Sequence, residues 1–434
     1  MNRLHACAAV LLGLLAVTPA QADICALDQR PGATLLIPWF AVDLEGNGLS
    51  TSFWVRNVST SPTLTNVTLW SDYGVAAFSF NVYLPAYGTE RIDLGALLRE
   101  GRMPRTGAGV SGLGSFDTAA TPQNFPSCHA GATVGIPPVY ADLSEAQQTE
   151  FGNRLTGKPG QFGQCFGSDH GDNVARGYVT IDPVNQCASV SPADPGYFNS
   201  GGTGIATNDN VLLGGVEYVD PTNNFAFATP ALSQEAQTGG FVPGDATFYG
   251  RKLAWFGFDE REPLPFSWSF DFDGVSDNGS ADLMVWRSTP ATQPRACHQM
   301  PPWFPLGHSE RTPFDQAGDT PLPDPFFLGG TTYIAHATQL FPTDLIDESL
   351  LQPSPPVGSG RINLATFISG DAQPEGQSWF GVLHSSEGRF SELQPARALD
   401  SGCNAGRVEP AAVGGPVEFN PTTASYIFLD GYES

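Results

Sequence analysis

The sequence predicts a mainly β protein, an antiparallel β-sandwich of jelly-roll or immunoglobulin-like type with long loops and few short helices. Three observations predict it. Short runs with period-two alternation recur from Thr34 to His384, Gly and Pro punctuate the joins between them, and only two segments carry helix signals. Consecutive strands joined by tight turns imply antiparallel sheets, and a sheet with one buried face needs a second layer to cover it. A barrel is the alternative way of burying the same strands.

The stretch Thr34 to Leu94 reads as four strands. Thr34 to Leu44 is apolar on both faces, with Leu36, Phe40 and Val42 on one and Leu35, Ile37 and Trp39 on the other. That suits a strand covered on both sides, although Pro38 removes a ladder donor and favours an edge or a bulge. Gly46-Asn47-Gly48 turns the chain into Ser52 to Val58, and Ser61-Pro62 and Tyr73-Gly74 mark the next joins. From Phe78 to Leu84 apolar residues hold the even positions, which predicts one buried and one wet face. Asp93 to Gly101 has room for a helical turn or two.

Residues 103–138 are rich in Gly, Pro, Ser and Thr and read as a long surface excursion stapled by Cys128. Leu143 to Leu155 is the strongest helix. Ser144 caps it, Gln147 completes a capping box, and Gly157-Lys158-Pro159-Gly160 stops it. Strand patterns resume at Arg176 to Asp182, Val211 to Asp220, Phe225 to Ala228 and Ala246 to Phe258. Pro265 to Phe272 alternates cleanly, with Phe266, Trp268, Phe270 and Phe272 against Ser267, Ser269 and Asp271. Ala281 to Arg287 is its expected hairpin partner. Pro294 to Pro325 reads as a loop, and Thr331 to Ala337, Arg361 to Ile368 and Trp379 to His384 as further strands. No repeat of solenoid or propeller period is present.

Residues 1–22 have the form of a cleaved secretory signal, with Arg3, the apolar run Ala8 to Val17 and the small-x-small Ala20-Gln21-Ala22. Leu4-His5-Ala6-Cys7 has the letters of a lipoprotein box, but the apolar run follows Cys7 instead of preceding it. The expected organisation is signal 1–22, one large module over 23–403, and a linker and tail over 404–434. A subdomain split near 105–175 is the alternative. The chain is thus expected to be secreted, in the periplasm or at the cell surface. No other apolar run is long enough to span a membrane as a helix.

Seven cysteines include Cys7 of the signal, and the remaining six are Cys25, Cys128, Cys165, Cys187, Cys297 and Cys403. An even count in an exported chain points to disulfides, with fifteen pairings open. Loop order alone favours Cys25–Cys403, Cys128–Cys165 and Cys187–Cys297. The net charge is −24 although only 15% of residues are charged, and Lys158 and Lys252 are the only lysines among 20 basic residues. Such a surface repels nucleic acid and anionic lipid, and no nucleic-acid partner is expected.

Motifs exclude more than they assign. Gly152 to Lys158 imitates a phosphate-binding loop, but Pro159 replaces the magnesium-holding hydroxyl and the run sits at a helix end. Gly107-Ala108-Gly109-Val110-Ser111-Gly112 lies in a loop of a chain with 49 glycines. There is no G-x-S-x-G elbow and no H-E-x-x-H. Ser168-Asp169-His170-Gly171-Asp172 is the one compact Ser/Asp/His cluster, yet triads converge from distant positions. Cys128-His129 and Cys297-His298 fit bridged cysteines beside exposed histidines.

Asp271, Asp273 and Asp277, with Asp282 beyond, form the one calcium candidate, because calcium takes several oxygens from D-x-D-G-like loops. The run is similar to a unit of extracellular calcium-binding repeats, in a single copy with its acids displaced. A polar hairpin loop capped by Asx turns is the favoured account of the same residues. A glycosidase would need two facing carboxylates, for which Glu217, Asp259, Glu260 and Glu262 are placed on or beside strands. Exposed aromatics bind sugars, but 29 phenylalanines mostly fill a β core.

The stretches TLLIPWFAVDL, VTLWSDYGV, FNVYL, ARGYVTID, GYF, NVLLGGVEYVDPTNNFA, TFYGR, REPL, DLMVWR, PPWFPL and ALDSGC run in order through Thr34 to Cys403. In them the chain resembles an uncharacterised family of exported proteins from Gram-negative bacteria. The resemblance implies one continuous module and carries no catalytic residue. The closing IFLDGYES is similar to an I-F-x-D-G-F-E tail of other exported bacterial proteins, with Tyr432 where Phe is usual. The expected function is a non-enzymatic binding or structural module with a glycan or surface-protein ligand. The alternative is a carbohydrate-active or other hydrolase using loop carboxylates.

Overall fold

The computed structural model describes residues 30–46, 48–104, 142–186, 191–237, 247–249, 259–265, 267–273, 279–288, 293–299, 311–315, 332–336, 357–363, 377–386 and 390–399. In chain order these form β1 (Thr34–Asp43), β2 (Ser50–Asn57), β3 (Thr63–Ser71), β4 (Ala76–Leu84) and β5 (Thr89–Asp93). Two helices follow, α1 (Leu94–Glu100) and α2 (Glu145–Thr156). Next come β6 (Gln164–Cys165), β7 (Val174–Val184), β8 (Leu212–Asp220), β9 (Phe225–Pro230) and β10 (Leu232–Gln234). The second half holds β11 (Ser267–Asp273), β12 (Gly279–Arg287), β13 (Arg295–Ala296), β14 (Arg311–Asp315) and β15 (Thr332–His336). Last are β16 (Val357–Asn363), β17 (Ser378–Ser386), β18 (Phe390–Pro395) and β19 (Arg397–Ala398).

Among the described residues all the pairings are antiparallel and the sheets are open, as in a sandwich and unlike the alternative barrel. One layer is β10-β1-β7-β3-β4 and its partner is β5-β2-β8-β9. They meet where β1 contacts β2 and β8. Across that seam Trp39 stacks on Tyr218 at 5.1 Å, and the Tyr218 hydroxyl donates to the Trp39 carbonyl at 2.6 Å. The second half adds β14-β16-β11-β19 and β15-β12-β17-β18, which touch through β11, β12 and β17. One apolar cluster runs from Leu35 through Val216 to Trp268 and Phe380, so both halves share a core.

Local choices explain the elements. The β1–β7 register shifts between Ile37 and Phe40, placing a bulge at Pro38, just past the point where β10, paired with Thr34 to Leu36, ends. Asp93 accepts from the Ala96 N–H to start α1, and Gly101 ends it in the left-handed region. Ser144 and Gln147 form the expected capping box of α2, and Gly157 closes it at φ 71°. The helix end therefore excludes a phosphate loop over Gly152 to Lys158.

Three expectations need correction. The stretch read as four strands holds five, divided between two layers: β1, β3 and β4 belong to one, β2 and β5 to the other. Strand β4 has no wet face, since Asn81 and Tyr83 are as buried as Phe80 and Val82. The Tyr83 face is covered by Leu64, Val184, Tyr197, Phe198 and Ala206, while helix α2 packs on the other face, with Phe151 against Phe78 at 4.2 Å between ring centroids and Arg154 donating to the Ala77 carbonyl. Third, Ser267 to Asp273 and Gly279 to Arg287 are not a hairpin. β11 pairs with β16 and β19, whereas β12 pairs with β15 and β17. The chain changes layers between them, because alternation fixes which face is buried and leaves the partner strand open.

β7 lies between β1 and β3, so strands from before and after the excursion share one sheet. Within the stretch read as loop from Pro294, β13 and β14 are strands. The excursion over 105–138, the signal, and the tail from Ser401 lie outside the described residues, as does most of the strand expected over Ala246 to Phe258.

Candidate functional site

The carboxylates on which a hydrolase would depend come first. Asp259, Glu260 and Glu262 are all buried, as is Arg261 between them. Asp259 accepts from the Thr247 hydroxyl at 2.7 Å and from the backbone N–H of Tyr249 and of Arg261. Glu260 accepts from the Gly201 N–H at 2.9 Å and from the Asn208 amide, and Glu262 from the Gln237 amide. These three are spent on holding loops.

Arg261 runs into the layer β10-β1-β7-β3-β4. Its Nε donates to the Thr34 hydroxyl at 2.9 Å and lies 3.9 Å from Asp182 on β7. Thr34 donates to the other side of the link, Asp182 Oδ1. Tyr197 and Tyr249 donate to Asp182 Oδ2 at 3.0 and 2.9 Å. Burial pushes the Asp182 carboxyl upward, and Arg261 with the three hydroxyls opposes that shift. Burial first and then Asp182 hold both tyrosines well above their ordinary range, so they remain donors.

The Ser/Asp/His cluster does not assemble as a triad. Ser168 Oγ meets the Tyr73 hydroxyl at 2.9 Å, Asp169 accepts from the Gly171 N–H, and Asp172 pairs with Arg176. His170 lies 3.5 Å from Asp72, a residue from the β3–β4 turn. Of the calcium candidates, Asp271 is exposed on β11 and Asp282 is half-buried on β12, in different sheets. Asp277 and the side chain of Asp273 lie outside the described residues, and among those described no group of three metal-ligating side chains converges.

Cys165 is bonded to Cys297, with Cα atoms 4.9 Å apart. This overturns two expected pairs, Cys128–Cys165 and Cys187–Cys297. The physical reason is the ladder of β6 on β13, which brings Cys165 opposite Arg295, two residues from Cys297. Cys25, Cys128, Cys187 and Cys403 lie outside the described residues. The bridge also removes Cys297 as a nucleophile beside His298.

Two hollows remain. The first is a cleft of about 60 Å³ walled by Trp70, Tyr178, Phe248, Tyr249 and Trp286. Trp70 lies parallel to Tyr178 at 5.6 Å, and Trp286 parallel within 14° to Phe248 at 5.7 Å. It has room for a few waters only.

The second lies on the outer face of β5-β2-β8-β9, with a volume of about 310 Å³. Here β2 truly alternates: Thr51, Phe53, Val55 and Asn57 are buried, and Trp54 and Arg56 are exposed. Trp54 stands opposite Arg91 on one side and Gly215 on the other. A Cβ at Gly215 would fall 2.7–2.8 Å from Nε1, Cε2 and Cζ2 of Trp54, so the indole occupies the glycine's side-chain space. Beyond the glycine, Ala228 to Ala231 form the far wall. The next row along the face is polar. Arg91 donates to Ser52 Oγ at 2.9 Å and to Glu217 Oε2 at 2.6 Å, and both ends of that ion pair are exposed.

Sequence reasoning named Glu217 and missed Trp54 and Gly215. The signal was present: Trp54 shares the parity of Ser52 and Arg56, the wet side of its strand.

No family model, no curated protein and no solved structure matches the chain.

Proposed function

We propose that the chain is an exported, non-enzymatic recognition module that binds its ligand outside the cell or at the cell surface. One observation carries the reading. Three of the four carboxylates suited to hydrolysis are buried and hydrogen-bonded within the fold, while the outer face of β5-β2-β8-β9 presents an aromatic and an ion pair to solvent. A face of this kind offers contact area and hydrogen bonds without a pair of free acids. The Cys165–Cys297 bridge supports export, because such bonds persist in oxidising compartments.

The test is a screen of the full mature chain against polysaccharides and cell-surface protein extracts, with product release followed in the same wells. Saturable binding without product is the expected result. Turnover of any bound polymer overturns the reading and returns Glu217 to the centre of attention.

A further inference from the structure

We propose that the trough over Gly215 is a glycan site, and that its ligand is a neutral polysaccharide whose hexopyranose rings stack on Trp54. The proposal rests on the recognition reading above and gives its site a ligand class. A single exposed aromatic is ordinary on a protein surface. Three features set this one apart.

The first is support. The indole lies across Gly215, in space that any other residue would fill. Resting on the glycine leaves the ring less freedom to lose on binding, and preorganised groups lose less entropy when a ligand docks. The second is the neighbouring polar row. A hexopyranose with equatorial hydroxyls presents flat C–H faces above and below and hydroxyls around its rim. The faces suit an indole, which joins a large apolar surface to a rigid side chain. The rim needs donors and acceptors within reach of the ring, and Arg91 opposite Trp54, with Ser52 and Glu217 in the next row, supplies both kinds. The third is charge. Arg91 pairs with Glu217 at 2.6 Å, and the other exposed charges of this face, Asp93 opposite Ser52 and Arg56 two residues from Trp54, are one of each sign, so charge balances around the indole while the chain as a whole carries −24. That field disfavours uronate or sulfated polymers and leaves neutral ones unopposed. The trough's volume of about 310 Å³ suits a short stretch of sugar rings and is open along the face.

The experiment measures binding of the full mature chain to neutral polysaccharides (β-glucan, xylan, mannan, galactan) and to two anionic ones (alginate, pectate). Affinity electrophoresis and tryptophan fluorescence are the readouts. Wild type is expected to retard on at least one neutral polymer and on neither anionic one. Trp54→Ala should weaken that binding about tenfold or more, as for a hot-spot aromatic, and Trp54→Tyr should restore part of it. Gly215→Val keeps the indole but displaces it, and should weaken binding comparably. Because Trp54 is exposed, thermal melts of the variants serve as folding controls. Unchanged affinity in Trp54→Ala, or failure of wild type to bind any neutral polymer, overturns the glycan site. In the second case, capture of a surface protein would still leave the recognition reading standing. Product release would instead sink the recognition reading, while a Trp54-dependent affinity would keep the platform.

Discussion

Nε of Arg261 lies 3.9 Å from Oδ1 of Asp182, and the hydroxyl of Thr34 bonds to both. Asp182 and Thr34 sit on paired central strands, and Arg261 arrives from a segment beyond β10. The relationship locks the loop over 259–262 onto the sheet, and it converts three apparent catalytic acids into structure.

Removing Asp182 takes away the carboxylate beside Arg261 and leaves its buried charge to the carbonyls of Asp259, Thr207 and Ala33. Asp182→Asn is expected to cost about 3–5 kcal/mol in chemical denaturation, against about 1 kcal/mol for Tyr249→Phe, which deletes one hydroxyl donor. Equal small losses in the two variants would mean that Arg261 finds its compensation elsewhere.

Gly177 marks a close approach of backbones. A Cβ there would stand 1.8 Å from the Trp70 carbonyl oxygen and 3.0 Å from the Phe40 ring. Neither neighbour yields easily, because β3 and β1 flank β7 within one sheet. Gly177→Ala should therefore destabilise by about 1–3 kcal/mol, the size of an overpacked core. A melt within a degree of wild type would show that the ladder spreads at no cost.

The Cys165–Cys297 bond spans 132 residues of sequence. Closing so long a loop is worth up to about 5 kcal/mol in a chain-entropy account, less where other bridges already constrain the chain. Peptide mapping without reduction should recover one linked peptide containing both residues. A linked Cys128–Cys165 peptide would overturn the pairing.

Much of the fold was legible where local chemistry decides it. Ser144 and Gln147 announced α2, Asp93 and Gly101 bounded α1, and Pro38 announced the bulge in β1. What stayed illegible depends on partners far along the chain. Asn81 looks like a wet position until Val184, Tyr197 and Phe198 close over neighbouring Tyr83 on that face of β4. Trp268 declares its buried face but not that its neighbours are Ile362 and Ala398. The same holds at the site. Asp259 and Glu262 read like candidate acids because their hydrogen-bond donors, Thr247 and Gln237, cannot be assigned to them by sequence. Trp54 was readable in principle from its parity, and Gly215 only from the register of β2 on β8.

The pairing of Asp172 with Arg176 gives a prediction in pH. The Arg176 guanidinium donates to both carboxylate oxygens of Asp172, and this, opposed by partial burial and helped by the Val174 N–H, lowers its pKa to about 2. A carboxyl lowered on folding stabilises the native state above its unfolded value, near 3.8, and that contribution fades as pH falls toward about 2. The pair is partly exposed, so solvent screening limits its worth to about 1 kcal/mol or less. The sharper readout is the site itself. Carboxyl-carbon NMR should place the Asp172 midpoint near 2, and Arg176→Gln should return it toward the usual carboxylate range. A wild-type midpoint near 4 would show that the ion pair does not persist in solution. An Arg176→Gln midpoint still near 2 would transfer the effect to the Val174 N–H, which bonds Asp172 at 3.1 Å.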